Sequence, residues 1–434
     1  MPFKLKTFLK SPSTQVFIAS WLAYAGFYFC RKNFSVAMPL LITDVGLSKF
    51  QLANIIAVYS FVYMAGQFIN GYLSDRFGPK KIVTYGLLLA VAANLLMGFA
   101  LGAWLFMGLM IVNGYGQSTG WSGLVKMMSD WYKQEVRGIV MSWWTTCYVV
   151  GGFLAVIFAT WWGSNHIVLP QYSWQRVFWA PAVLLALIAL IFIRFAKNGS
   201  REDVESTEYQ PNKTKAFSLH LNRSAFKETI TNTAVWITAI MYFGVKFIRY
   251  TFLFWLPLYL TQAFGYSNEV AGYTSSVFEA AGFVGVILSG YMSDKLYQSR
   301  RFPVGAIFLF GLTAVLMLQP SLAHFGYWGN VVAVGLVGLF TYGPDALMSG
   351  ATAQDLGKEN AGTAAGIING VGSMGQIVSP YGVAFISEKF GWHALFQVFI
   401  VVSTISALFL CSQWNYGKKA RLSKIQEKFE IVSI

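Results

Sequence analysis

The chain has 434 residues, of which 56% are hydrophobic and 17% aromatic, while only 12% are charged. A water-soluble domain carries roughly 25% charged residues, so there are too few charges here to coat a water-exposed surface, and the mean hydropathy of +0.52 agrees. The net charge of +14 would suit a nucleic-acid binder, but no contiguous basic face with interleaved aromatics is present, and no nucleic-acid partner is expected.

Met1 to Lys10 is basic and runs into a long apolar span without a small-residue cleavage site. This reads as an uncleaved first helix rather than a signal peptide. Apolar stretches long enough to cross a bilayer, about 20 residues each, then recur along the chain. Six fall at 14–42, 50–73, 82–102, 104–126, 138–163 and 172–195. Six more fall at 230–262, 270–293, 303–322, 326–350, 361–388 and 391–413. The stretch between Asn198 and Lys227 is polar and charged, and Lys418 to Lys428 is basic. The expected organisation is a six-helix half at 1–196, a cytoplasmic linker at 197–229, a second six-helix half at 230–414 and a basic cytoplasmic tail at 415–434. The fold class is therefore an all-α membrane protein of twelve transmembrane helices in two pseudo-symmetric halves. Most Lys and Arg fall in the termini and in alternate loops, and only Lys49, Arg176 and Lys389 fall in the loops of the other side. That asymmetry puts both termini in the cytoplasm of an inner, plasma-type membrane.

The halves repeat. Gly71-Tyr72-Leu73-Ser74-Asp75-Arg76 returns as Gly290-Tyr291-Met292-Ser293-Asp294-Lys295, and each copy leads into a basic loop. The first copy closely resembles the loop motif of the major facilitator superfamily. A tight turn of this kind lets its acid pair with basic groups or a helix N-terminus, so Gly71, Asp75, Arg76 and Asp294 are candidate gating residues. Internal repeats around a midplane site are a common plan of secondary transporters.

A charge at the bilayer centre costs at least about 2.5–3.5 kcal/mol on insertion scales. Arg31, Lys32, Lys246 and Arg249 all lie deep in apolar spans, against two acids, Glu279 and Asp345. The spacing from Arg31 to Arg249 is within one residue of the spacing from Gly71 to Gly290. The two arginines are thus equivalent under the repeat and are expected to face each other near the midplane. Two facing guanidiniums need an anion, and the planar fork of arginine suits phosphate oxygens. The alternative is that each pairs with a buried carboxylate; the excess of cations over acids favours an anion site. Lys246 with Asp345 reads either as a buried pair or as a sugar-hydroxyl contact.

Tyr24-Ala25-Gly26-Phe27-Tyr28-Phe29-Cys30-Arg31-Lys32-Asn33-Phe34 strongly resembles the first-helix signature of the organophosphate:phosphate antiporters. That family includes bacterial glycerol-3-phosphate and hexose-6-phosphate transporters and a hexose-phosphate sensor. Arg249-Tyr250 with Trp255, Glu279-Ala280-Ala281-Gly282 and Tyr342-Gly343-Pro344 fit the same pattern. The stretch Ala353-Gln354-Asp355-Leu356-Gly357 is similar to eukaryotic sugar-phosphate exchangers. The resemblance implies that Arg31 and Arg249 bind the phosphoryl group and that Tyr24, Tyr28 and Tyr342 line its pocket. It also implies a monomer without cofactors, with phosphate and an organophosphate as substrates and lipid as surroundings. The chain departs from the pattern at Gln67, where one branch has lysine, at Tyr148, where several members have histidine, and at Asp345, where a neutral residue is usual. These departures bear on the organic part of the substrate.

Cys30, Cys147 and Cys411 lie in apolar segments without metal-ligand spacing, and an odd buried set gives no disulfide framework. His166, His220, His324 and His393 form no catalytic or metal pattern, so an enzyme is not expected. Two other readings stay open: a non-transporting sugar-phosphate receptor, and a proton-coupled transporter of another anion using Glu279 and Asp345 as proton carriers.

Overall fold

The computed structural model describes residues 11–132, 140–141, 143–165, 167–199, 230–357 and 361–416. Most of the expected linker, nearly all of the tail, the basic N-terminal decapeptide, His166 and His220 lie outside these residues.

The described residues build an all-helical protein of twelve long helices. In chain order these are α1 (Pro12–Val45), α2 (Lys49–Phe77), α3 (Pro79–Met97), α4 (Ala103–Trp131), α5 (Thr146–Ser164) and α6 (Gln175–Phe195). They are followed by α7 (Thr233–Phe264), α8 (Asn268–Tyr291), α9 (Arg301–Ala323), α10 (Gly326–Ala346), α11 (Ala361–Lys389) and α12 (Gly391–Ser412). α8 runs on into a π-helical stretch, Met292–Leu296, and α10 into another, Leu347–Thr352, followed by the short helix Ala353–Gly357. Such wide turns break the regular hydrogen-bond ladder and are frequent near functional positions. In α10 the break follows Pro344, whose ring removes a backbone donor.

Local chemistry fixes the helix ends. Ser11 caps α1 by accepting from the Thr14 amide at 3.2 Å, Pro12 sits in its first turn, and Gly46 ends it in the left-handed region at φ 76°. Ser48 and Gln51 form a capping box at the start of α2. Gly78, at φ 85° and ψ 136°, ends α2 and opens α3 at once. The sequence suggests that the third span reaches 102, but α3 stops at Met97. Gly98 begins a turn there, and a Cβ on it would lie 2.0 Å from the Trp179 indole nitrogen. Gly98 therefore leaves room for the indole at the α3–α4 corner.

Among the described residues, nine helices are apolar and long enough by themselves to cross a membrane. α1, α4 and α11 are not among them. α1 carries Arg31 and Lys32, and α4 carries Asn113, Gln117 and Lys126. Polar groups that lower the hydropathy of a span belong against protein rather than lipid.

Contacts divide the chain into two compact units. The first holds Met1–Phe217, Thr251–Ala280 and Ile377–Trp392; the second holds Ser218–Tyr250, Ala281–Gln376 and His393–Ile434. The division thus falls inside α7, α8 and α11 and two residues into α12. In the first unit, α1 packs on α5 and α6 around a core that includes Phe27, Phe29, Trp144, Leu185 and Phe192. A Cβ on Gly151 would lie 2.7 Å from the Cα of Ala25, so α5 and α1 meet backbone to backbone. The same unit joins α1 to the later part of α7 through Ser35, which donates to the Phe254 carbonyl at 2.6 Å. At the end of this unit away from Gly78, Lys49 donates to Ser387 at 3.1 Å, and Trp392 donates to Gln262 at 3.2 Å. In the second unit, α9 and α12 are tied by a 2.8 Å hydrogen bond between Thr313 and Ser403, and Phe247 of α7 meets Phe399 of α12 edge to face.

Candidate functional site

In the first unit the site grows from a ladder of buried amides. Asn33 donates to Asn94 at 2.8 Å and to the Val177 carbonyl at 3.2 Å, and Asn94 donates to Asn113 at 3.3 Å. Asn113 donates to the Cys30 carbonyl at 2.9 Å, and Gln117 donates to the Phe27 carbonyl at 3.0 Å. These bonds lock α1 against α3, α4 and α6 on either side of Arg31. Gln117 then accepts from Arg31 Nε at 2.9 Å. The guanidinium lies over the Tyr28 ring at 4.6 Å and over the Tyr63 ring at 4.8 Å. Aromatic faces attract a desolvated cation but do not cancel its charge. Arg31 Nη2 is buried with no hydrogen-bond partner, and no ion pair is made by Arg31 among the described residues. A guanidinium held this way is oriented and has no acidic partner among the described residues.

Lys32, next in sequence, points to a different neighbour. Its ammonium forms a buried ion pair with Glu279 of α8 and also donates to the Leu253 carbonyl at 3.4 Å. Gly152 of α5 makes room for that pair, since a Cβ there would lie 3.3 Å from Glu279 Oε2. Tyr24 and Tyr28 are buried in the same unit and meet edge to face, and Tyr24 also packs on Trp121 and Trp144. Tyr24 is thus mainly a packing residue, whereas Tyr28 touches the candidate arginine. Gln67 is half-buried in α2, and Tyr148 packs against the core at the start of α5.

In the second unit α7 presents Tyr242, Lys246 and Arg249 along one stripe, as spacings of four and three residues require. Arg249 Nη1 pairs with Asp345 Oδ2 at 2.7 Å. Tyr242 donates its hydroxyl to Asp345 Oδ1 at 3.1 Å, so both carboxylate oxygens are engaged. The Arg249 guanidinium also lies over the Tyr342 ring at 4.4 Å, and its Nε is buried without a partner. Lys246 donates to Ser373 of α11 at 3.2 Å and lies over the Tyr242 ring at 4.9 Å. The ion pair of Asp345 is therefore made with Arg249, and Lys246 is engaged elsewhere. Tyr342 is held close to α8, because a Cβ on Gly282 would come within 2.5 Å of its ring.

The two copies of the Gly-Tyr-x-Ser-Asp motif differ similarly. The second copy is an electrostatic knot: Arg301 pairs with Asp294 and approaches Asp355 at 3.6 Å, and Ser293 accepts from Arg301 at 2.9 Å. In the first copy Gly71 packs near Ser122 and the Arg76 guanidinium lies by the Phe77 ring at 5.3 Å. The Asp75 side chain lies outside the described atoms.

Sequence reasoning missed Gln117, Tyr63, Tyr242 and Ser373. A signal existed for the first: Asn113 and Gln117 are one turn apart in an apolar helix, a spacing that puts both amides on one face. Tyr242 stands four residues before Lys246 and reads, alone, as another aromatic in an aromatic-rich span.

The model of the Major Facilitator Superfamily matches residues 20–380. The chain is 30% identical to the "Glycerol-3-phosphate transporter" of Bacillus subtilis, over 96% of both proteins. It is 26% identical to the "Membrane sensor protein UhpC" of Escherichia coli, over 91% of this chain and 90% of that one. Among solved structures, a bacterial homologue of the human lysosomal transporter Spinster, inward-facing and unoccupied, superposes with a TM-score of 0.75 at 16% identity, covering 93% of this chain and 95% of that one.

Proposed function

The chain belongs to the major facilitator superfamily, among relatives of glycerol-3-phosphate and hexose phosphate transporters, and from that premise we propose that it exchanges inorganic phosphate for an organic phosphate. The observation that carries this reading is the buried, unpartnered Nη2 of Arg31. A cation so deep in a membrane protein, oriented by Gln117 and two tyrosine rings and given no carboxylate among the described residues, suits an anion that arrives from outside the fold. The reading has Arg31 and Arg249 bind the phosphoryl group together, as the repeat that makes them equivalent suggests. Arg31, Lys32, Lys246 and Arg249 against Glu279 and Asp345 leave an excess that matches a dianion.

The mechanism is alternating access. Binding neutralises the excess charge and lowers the barrier to the exchange of conformations. The empty carrier leaves Arg31 desolvated without a counter-charge and returns slowly, so flux is coupled: phosphate leaves as organophosphate enters. Tyr28 and Tyr342, each against one arginine, supply an aromatic wall and a hydroxyl donor beside that arginine. The uneven placement of basic loop residues supports cytoplasmic termini and a plasma-type membrane, and a monomer suffices for the cycle.

Proteoliposomes loaded with phosphate and supplied with labelled phosphate outside test this directly. Counterflow that requires internal phosphate is the expected result, and a panel of sugar phosphates as competitors ranks the organic substrates. Uptake that proceeds equally well without internal phosphate would sink the exchange mechanism. The kinship to a membrane sensor favours a second reading, in which the protein binds sugar phosphate and does not carry it. Binding of hexose phosphate with no flux in the same vesicles would decide for that reading.

A further inference from the structure

The Arg249–Asp345 pair is hard to reconcile with a residue waiting for substrate. Among the described residues of the first unit, Arg31 meets the Gln117 amide and two aromatic faces. In the second, its repeat counterpart is already neutralised by a carboxylate at 2.7 Å. We propose that Asp345 is a resident counter-anion, which occupies Arg249 while the carrier is empty, is displaced by the incoming phosphoryl group, and then turns to Lys246. The proposal rests on the phosphate-binding reading and adds to it a competitor built into the protein.

The surroundings of Asp345 supply the parts such a swap needs. Tyr242 holds Oδ1 at 3.1 Å, so the carboxylate keeps one hydrogen bond when Oδ2 releases the arginine. The ring of the same tyrosine carries the Lys246 ammonium at 4.9 Å. Lys246 therefore lies beside the pivot, and its present partner is a neutral hydroxyl, Ser373, at 3.2 Å. A neutral acceptor is readily given up for a carboxylate, because a charge-assisted hydrogen bond is roughly twice as strong as a neutral one. The released arginine offers Nη1 to the ligand and has a buried Nε with no partner to lose. Charge is conserved in the cluster at each stage. Before binding, Asp345 neutralises Arg249 and Lys246 carries the excess; afterwards Asp345 neutralises Lys246 and the phosphoryl group neutralises Arg249.

A counter-anion of this kind lowers affinity, because the ligand must evict it, and keeps a buried cation from standing naked in the empty protein. Removing it should therefore tighten binding, an outcome that loss of a merely structural ion pair does not produce. The test uses the full chain in detergent, titrated with inorganic phosphate and followed by calorimetry. For Asp345→Asn we expect phosphate to bind roughly tenfold tighter than to the unmodified protein. Lys246→Gln should weaken phosphate binding in the unmodified background, where the displaced carboxylate loses its destination, and weaken it less in the Asp345→Asn background. Phosphate binding by Asp345→Asn that is equal to or weaker than that of the unmodified protein, with a monodisperse elution profile, would overturn the proposal. If Asp345→Asn aggregates, Asp345→Ser carries the test, since it also removes the carboxylate and leaves a small polar side chain near the Tyr242 hydroxyl. Asp345→Ser should likewise bind phosphate about tenfold tighter, and unchanged or weaker binding would overturn the proposal equally. If the unmodified protein itself binds no phosphate, the fault lies in the phosphate-binding reading, and that single titration separates the two failures.

Discussion

Arg31 and Arg249 occupy equivalent positions of the repeat and live in opposite electrostatic worlds. Arg31 is fixed by a neutral frame, the Gln117 amide and the faces of Tyr28 and Tyr63. Arg249 is fixed by a charged one, the Asp345 carboxylate, with the Tyr342 ring beneath it. The neighbouring lysines differ in the reverse sense. Lys32, beside the uncompensated arginine, is paired with Glu279, and Lys246, beside the compensated one, rests on a serine. Of these six charges each unit holds two cations and one acid, but the acid is paired with a different cation in each. The repeat fixes where a charge sits, and the neighbours decide whether it is available to a ligand.

The largest effect on transport is expected at Arg31. Arg31→Lys keeps the charge and loses the forked donors, and should reduce phosphate counterflow about 100-fold, the equivalent of roughly 3 kcal/mol. Normal exchange by this variant in proteoliposomes would refute the bidentate site. Next comes the Lys32–Glu279 pair. Glu279→Gln leaves Lys32 buried beside a neutral amide, which costs roughly 3–5 kcal/mol for a broken buried pair. A thermal unfolding midpoint lowered by the single variant and substantially recovered by Lys32→Gln combined with Glu279→Gln would establish the pairing. Gln117→Leu removes the acceptor for Arg31 Nε and should weaken phosphate binding about tenfold by titration. An unchanged affinity would show that the aromatic faces alone orient the guanidinium. The smallest effect is expected at Asp294, which is more than half exposed beside Arg301. Asp294→Asn should change stability by less than about 1 kcal/mol in a denaturant or thermal melt, and any larger effect should appear in transport rate.

Much of this was legible in the sequence. The helices were, because a run of apolar residues bounded by Gly, Pro and basic clusters carries its own length. The candidate cations were too, because a charge inside such a run stands out against the cost of putting it there. The partners were not. Whether Asp345 faces Arg249 or Lys246 depends on the rotation of α10 against α7, and both cations share one stripe of α7. The Lys32–Glu279 pair joins residues far apart in the chain whose meeting depends on helix packing, to which hydrophobic periodicity is blind. Gln117 and Tyr242 escaped notice because neither an amide nor a tyrosine is costly enough in an apolar helix to announce itself. The early end of α3 was hidden in the same way, since Gly98 declares its purpose only once the Trp179 indole lies against it.

One small feature has mechanical weight. Gly78 alone separates α2 from α3, in a positive-φ conformation that disfavours any side chain. Asn198 closes over it, accepting from the Lys80 amide at 2.9 Å. Two long rods joined by one residue have no slack between them. A tilt of α2 cannot be absorbed by a lengthening loop and must be delivered to α3 as torsion about that joint. The corner acts as a crank, so a residue that binds nothing sets how far one helix can travel before it takes its neighbour along.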